Sequence, residues 1–211
     1  MSSDSQAHLA YLALEQHIVT LKLAPGALVT EKQLIDLTGQ GRTPVREAIQ
    51  KLAWEGLIAV RPRVGLQIAA IGPADHAHIM ATRAVLEPMA AGLVATHATE
   101  DARERMIGLA QEMTAASIRS DREGFLVADK AFDEALDAAC PNRFLMTALQ
   151  PLQSHARRLW FAGAEPGRMD GSVMMHVRVI RAIHRGDAAA ATGEMAALMR
   201  YLAEEPRRPS P

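Results

Sequence analysis

The chain has a single cysteine, Cys140, only 4% aromatic residues and a formal net charge of -1. One thiol permits no internal disulfide and fits a reducing compartment. A near-zero net charge excludes a protein that coats polyanions indiscriminately. No apolar run reaches the roughly 18 residues that a membrane-spanning helix needs, and no signal-peptide pattern precedes the first helical stretch. Both absences argue against secretion and membrane insertion, and for a cytoplasmic location. There is no internal repeat, no low-complexity tract beyond alanine-rich helix and no glycine-rich phosphate loop. At 211 residues the chain suits one large domain or two small ones, and its composition favours two.

What is present is concentrated in Gly41 to Gly56, Gly-Arg-Thr-Pro-Val-Arg-Glu-Ala-Ile-Gln-Lys-Leu-Ala-Trp-Glu-Gly. The pattern predicts a helix with Thr43 as N-cap and Pro44 at N1, where the missing N–H costs nothing. Val45, Ala48, Ile49 and Leu52 recur at helical spacing and face a core. Arg42 and Arg46 then sit at the exposed N-terminal end, where cations oppose the helix dipole. That placement is poor for stability alone and suits contact with an outside anion, a phosphate or a guanine edge. Between Thr38 and Ala70 five Lys/Arg (42, 46, 51, 61, 63) face two acids (47, 55), so the basic excess is local.

Upstream, Thr30-Glu31-Lys32-Gln33 reads as a capping box that opens a short helix through Leu37. Gly39-Gln40-Gly41 is a tight connector, which makes the pair a helix-turn-helix. An earlier helix is expected over Ala10 to Leu23, stopped by the Pro25-Gly26 turn. Downstream, residues 57–60 and 66–69 are strand-like, with Arg61-Pro62-Arg63-Val64-Gly65 as a basic hairpin tip. The sum is a winged helix-turn-helix.

From Leu14 to Ile71 the sequence resembles the DNA-binding domain of the GntR family of bacterial transcription regulators. The shared pieces are Ala24-Pro25-Gly26, Thr30 to Leu34, Arg42 to Ala48, Leu52 to Leu57 and Arg61 to Gly65. The resemblance implies that Lys32, Arg42, Arg46 and Gly65 meet an operator, and with Thr43 and Arg63 they form the expected DNA-binding set. The chain departs from the family at Gln40-Gly41, where a small apolar residue and then Ser or Thr are usual, so one hydroxyl–phosphate contact is lost.

Expected domain bounds are 1–71 for the winged helix, 72–74 for a linker, 75–204 for a helical domain and 205–211 for a disordered tail. Asp75 is the expected N-cap of the first of six helices, at roughly 75–97, 99–119, 121–139, 141–162, 169–185 and 187–204. The fold class is therefore mostly α, a winged helix-turn-helix followed by an all-helical bundle of about six helices. In the first bundle helix the stripe Ile79, Arg83, Leu86, Ala90, Leu93 places a guanidinium on the core face, and a buried arginine needs an anion. Glu87, one turn on, supplies an internal pair. A carboxylate-bearing ligand is the other reading. Pro88 removes one backbone bond within the same helix. In the third helix Asp129 and Asp133 stand at i and i+4 beside Phe125 and Phe132, and in the fifth His176 lies among Val173, Val177 and Ile180. Together the three polar groups make a candidate divalent-metal set. Met174-Met175 reads as core filler.

This half is similar, less closely, to the FCD effector domain of FadR-type GntR regulators, through Arg83 to Pro88, Asp129 to Phe132, Asn142 and His176 with Ile183 to Asp187. The resemblance implies a small carboxylate effector bound near Arg83, Asp129 and His176. It also implies a metal held by an Asp, a His one turn later and two further His. Asp129 and His176 match that set, whereas Asp133 and Leu198 replace two of the four ligands. One divalent ion (Mg, Mn, Ni or Zn) held by Asp129, Asp133 and His176 is the resulting expectation. The partners implied are an inverted-repeat double-stranded DNA operator and a second copy of the chain in a homodimer, with no membrane. The function expected is a ligand-responsive transcription regulator, a repressor. The alternative, a metal-dependent enzyme in the helical half, lacks a positioned nucleophile or general base.

Overall fold

The computed structural model describes residues 5–72, 74–163 and 167–204. The chain divides into two compact units, Met1–Pro73 with Arg157–Ala162, and Ala74–Ala156 with Gly163–Pro211. Pro73 of the expected linker, Pro166 of an expected helix break and the tail 205–211 lie outside the described residues.

The first unit carries α1 (Gln6–Val19), β1 (Leu28–Val29), α2 (Glu31–Thr38), α3 (Arg42–Trp54), β2 (Ile58–Arg61) and β3 (Gly65–Ile68). The three strands form one antiparallel sheet in the order β1-β3-β2, with Leu28 opposite Gln67 and Val60 opposite Leu66. Leu14, Ile18, Leu34, Val45, Leu52, Leu57 and Ile68 meet in one fully buried core. This is the winged helix-turn-helix expected from the pattern.

Three local expectations are corrected. The first helix runs from residue 6 rather than 10, because Ser5 caps it by accepting from His8 N–H, and it stops at Thr20, well short of Leu23. Leu21 adopts φ +60° there, which breaks the helix before the Pro25-Gly26 turn is reached. In α3 the N-cap is Gly41, not Thr43. Gly41 carbonyl accepts from Val45 N–H at 3.2 Å, and no side chain caps the helix. Pro44 therefore sits at the third helical position, still within the turn whose N–H groups have no helical acceptor. The capping box of α2 is as expected: Thr30 Oγ1 accepts from Gln33 N–H at 3.2 Å, and Gln33 Oε1 accepts from Thr30 N–H at 2.8 Å. Gly39 closes α2 in the left-handed conformation at φ +64°.

The second unit is built from α4 (Asp75–His97), α5 (Glu100–Ile118), α6 (Arg122–Ala139), α7 (Arg143–Gly163), α8 (Arg168–His184) and α9 (Ala188–Ala203), with residues 157–162 of α7 counted in the first unit. Thr99, Asp121 and Asp187 cap α5, α6 and α9 through their side chains, which explains why those starts are legible. Asp75 is not a cap. It is the first helical residue of α4, after Ala74. Helix α4 packs along α9, which also lies against α8, while α5 packs on α6 and α8. Gly92 permits the α4–α9 approach, since a Cβ there would stand 2.5 Å from Thr192 Oγ1. The buried stripe of α4 is Met80, Arg83, Glu87, Ala90, Ala91 and Val94, with Ile79, Leu86 and Leu93 at its margin. By length and composition alone α4 is apolar enough to cross a membrane, and its apolar side is committed to the helical core. Met174 is exposed, contrary to its expected role as filler.

Candidate nucleic-acid interface and helical polar cluster

Helix α3 divides cleanly. Val45, Ala48, Ile49 and Leu52 are buried, while Arg42, Thr43, Arg46, Glu47 and Gln50 are exposed. Burial of one face fixes the rotation of the helix, so the two arginines near its N-terminal end have no access to the core. They converge instead on Glu31, the first residue of α2. Arg46 Nε donates to Glu31 Oε2 at 2.8 Å and Arg42 Nε lies 3.7 Å from Oε1. One carboxylate between two guanidinium groups leaves a net positive charge. With side chains 73% and 59% accessible, Arg42 and Arg46 remain open to an external partner. Glu31 also stands at the N-terminus of α2, where its charge is favourable.

The wing flanks the same surface. Arg63 takes φ +65° at the hairpin tip and Gly65 takes φ +119° where β3 begins. Arg61 Nε donates to Gln67 Oε1 at 3.0 Å, and Gln67 Nε2 donates to the Gly26 carbonyl at 3.2 Å, which braces the base of the hairpin. An open cleft of about 570 Å³ runs between α3 and the sheet, lined by Val29, Thr30, Glu31, Arg46, Ile49, Gln50, Gly65 and Leu66. Lys32, Arg42, Thr43, Arg46, Arg63 and Gly65 are all exposed. Behind α3, Tyr11 Oη donates to buried Glu55, and Lys51 Nζ lies 3.7 Å from the Tyr11 ring centroid. Burial and the nearby Glu15 and Glu55 carboxylates push the Tyr11 hydroxyl well above its ordinary pKa, which keeps it a neutral donor.

In the helical unit, Arg83 donates through Nε to Glu87 Oε1 at 3.0 Å, with Nη2 also at 3.0 Å, so the internal pair is formed. Gln153 of α7 donates to Glu87 Oε1 at 3.2 Å and to Asp133 Oδ1 at 3.1 Å. His176 stands beside this network. Its Nδ1–H donates to the Ser172 carbonyl at 2.7 Å, and its Nε2 lies 3.0 Å from Asp129 Oδ1. The edges of Phe125 and Phe132 close around the ring. Burial pulls the imidazole pKa down, but the Asp129 bond and charge, the Ser172 carbonyl and the Asp133 charge outweigh it and leave it raised.

An Nδ1 anchored on a carbonyl leaves Nε2 as the ligating nitrogen, which fits a metal-binding histidine. Asp129 and His176 therefore suit an ion. Asp133 is turned to Gln153 and does not complete a set with them; among the described residues only Glu100, Glu104 and His184 bring three ligand atoms within 4.8 Å of one another. Leu198, at the position where the resemblance implies a last histidine, is buried as an apolar core residue.

The profile of the bacterial regulatory proteins of the gntR family matches residues 6–68, and that of the FCD domain matches residues 78–201, more than half of the chain. This protein belongs to the GntR family and carries an FCD domain. A relative described as an uncharacterized HTH-type transcriptional regulator in an unstable DNA locus of Streptomyces ambofaciens is 30% identical over 204 residues, covering 94% of this chain and 84% of the other. A probable D-xylose utilization operon transcriptional repressor of Paenarthrobacter nicotinovorans is 27% identical over 166 residues, covering 79% of this chain and 73% of the other. In fold, the E. coli McbR/YncC structure matches with a TM-score of 0.79 at 20% identity, covering 94% of this chain and 95% of the other. A putative GntR regulator from Rhodococcus matches with a TM-score of 0.71 at 20% identity, covering 93% and 95%.

The GntR chain is thus a DNA-binding transcription regulator with an effector-binding domain, and not an enzyme. The metal-dependent enzyme reading has no support. FCD domains commonly bind metal. Of the residues singled out in the sequence, the structure brings Arg42 and Arg46 together around Glu31, and Asp129 together with His176. It ties Arg83 to Glu87. Gln153 was missed, although it continues the buried spacing Leu145, Leu149 along α7 and so placed a polar amide on a core face. Local pattern marks Glu31 only as part of the α2 capping sequence, because its contact with Arg42 and Arg46 is set by the packing of α2 on α3.

Proposed function

We propose that this regulator is a homodimeric repressor whose two winged helices read an inverted-repeat operator, and whose FCD unit holds a small carboxylate effector that changes operator affinity. The observation that carries the reading is the pair of accessible arginines at the N-terminal end of α3, held by one carboxylate beside the wing. In the major groove Arg42 and Arg46 would donate to guanine edges, each bidentate contact discriminating by about 1–3 kcal/mol. Lys32, Thr43, Arg63 and the Gly65 backbone would contact phosphate and set the register. Two-fold symmetry doubles the contacts and lifts specificity over genomic background. The xylose-operon relative being named a repressor favours repression.

For the effector, Arg83, Asp129 and His176 are the proposed residues. A carboxylate effector would compete with Glu87 for Arg83, and that exchange offers two states of α4 whose balance the ligand shifts. A divalent ion, Mg, Mn, Ni or Zn, would be held by Asp129 and His176, with Asp133 joining once it leaves Gln153. When bound, such an ion would supply positive charge for the effector's carboxylate. Footprinting on the DNA upstream of the protein's own gene tests the reading. A short symmetric protected segment is expected, and uniform coating without a boundary would contradict it.

A further inference from the structure

The one group of three ligand atoms within 4.8 Å among the described residues lies away from the effector cluster, on the surface of the helical unit. Glu100 and Glu104 occupy one face of α5 at i and i+4, and His184 comes from the last turn of α8. His184 Nε2 and Glu104 Oε1 are 3.0 Å apart, joining residues 80 positions apart in the chain. Two carboxylates one turn apart on a helix repel each other, and a cation between them removes that cost.

The backbone under these residues is held in place. Arg103 donates through Nη1 to the His184 carbonyl at 3.2 Å, through Nε to the Ala98 carbonyl at 3.2 Å and through Nη2 to the Ala95 carbonyl at 2.9 Å. It is packed so closely under Gly186 that a Cβ there would lie 2.9 Å from Nη1. The guanidinium is spent on carbonyls, while the end of α4, the start of α5 and the end of α8 are stapled into one junction. Supporting residues that fix the elements carrying the ligands are what a preorganised ion site needs.

We propose that Glu100, Glu104 and His184 form a zinc site that ties α5 to α8. The donor set, one imidazole nitrogen and two carboxylates, suits Zn²⁺ with water in a fourth position. Bonds of about 2.0–2.2 Å in a tetrahedron place ligand atoms about 3.4 Å apart. Glu104 and His184 already satisfy that spacing to within a few tenths of an ångström, and the exposed Glu100 side chain reaches it by rotation. The site is independent of the effector reading, since none of its residues belongs to the Arg83–Asp129–His176 cluster.

Calorimetric titration of untagged, metal-free full-length protein with zinc chloride tests the proposal, alongside Glu104→Gln, His184→Ala and Asp129→Asn. Wild type and Asp129→Asn should each bind a zinc equivalent that Glu104→Gln and His184→Ala weaken by about tenfold or more. Both test residues are surface groups, and circular dichroism checks that their variants keep the fold. Unchanged zinc binding in Glu104→Gln and His184→Ala would overturn the proposal. So would a zinc equivalent lost only in Asp129→Asn, or no zinc uptake by wild type.

Discussion

Arg46 Nε and Glu31 Oε2 are 2.8 Å apart, a contact that joins the N-terminal part of α3 to the first residue of α2. Because Arg42 approaches the same carboxylate, Glu31 restrains both arginines and subtracts one charge from the patch. An exposed pair of this kind contributes under about 1 kcal/mol to stability, so its consequence lies in binding. Glu31→Gln should leave Tm nearly unchanged, tighten binding to unrelated DNA through the added charge and lower the ratio of operator to unrelated affinity by about tenfold. Competition anisotropy with both duplexes measures this, and an unchanged ratio would remove Glu31 from the account.

Gly41 caps α3 without a side chain, and a Cβ there would meet only Pro44 Cδ and Cγ at 3.7 Å, an ordinary contact. Gly41→Ser adds a cap acceptor and restricts the unfolded chain, together worth about 0.5–1 kcal/mol. A higher urea midpoint with an unchanged slope is the expected result, and operator affinity should rise if the hydroxyl reaches phosphate.

Glu87 is the buried partner of Arg83 and accepts from Gln153 as well. Glu87→Ala should destabilise the protein by about 3–5 kcal/mol, because an uncompensated guanidinium stays in the core. Gln153→Leu should cost less, about 1–3 kcal/mol, since it strips donors from two carboxylates and leaves the ion pair intact. Urea denaturation of both variants tests the ranking, and equal losses would contradict the hierarchy.

The His176 pKa is raised in the folded protein. Its contribution to stability is therefore complete below the unfolded value near 6.5 and is lost as pH rises through the folded one. In chelator, the stability advantage of wild type over Asp129→Asn should shrink as pH increases from 6 to 9. Thermal melts across that range check the sign, and a widening gap would refute it.

Much of this was legible from the chain. Capping side chains at Thr30, Thr99, Asp121 and Asp187 announce helix starts locally, and the apolar spacing of α3 places Arg42 and Arg46 outside the core. Less legible were features set by tertiary contact. The two-residue strand β1 is too short for alternation to mark and exists because β3 pairs with it. The end of α1 at Thr20 depends on a left-handed Leu21, for which the sequence carries no glycine signal. In the polar cluster of the helical unit the i, i+4 spacing suggests that Asp129 and Asp133 act together, but Gln153, arriving from α7, takes Asp133, while Asp129 pairs with His176.

Operator reading by this regulator requires the arginines of α3 to meet DNA. Fluorescence anisotropy of the footprinted operator segment, with wild type and Arg46→Ala at matched salt, tests this directly. Loss of one bidentate contact should weaken binding roughly tenfold to a hundredfold with helix content unchanged. Wild-type affinity in Arg46→Ala would contradict the assignment of α3 as the reading helix.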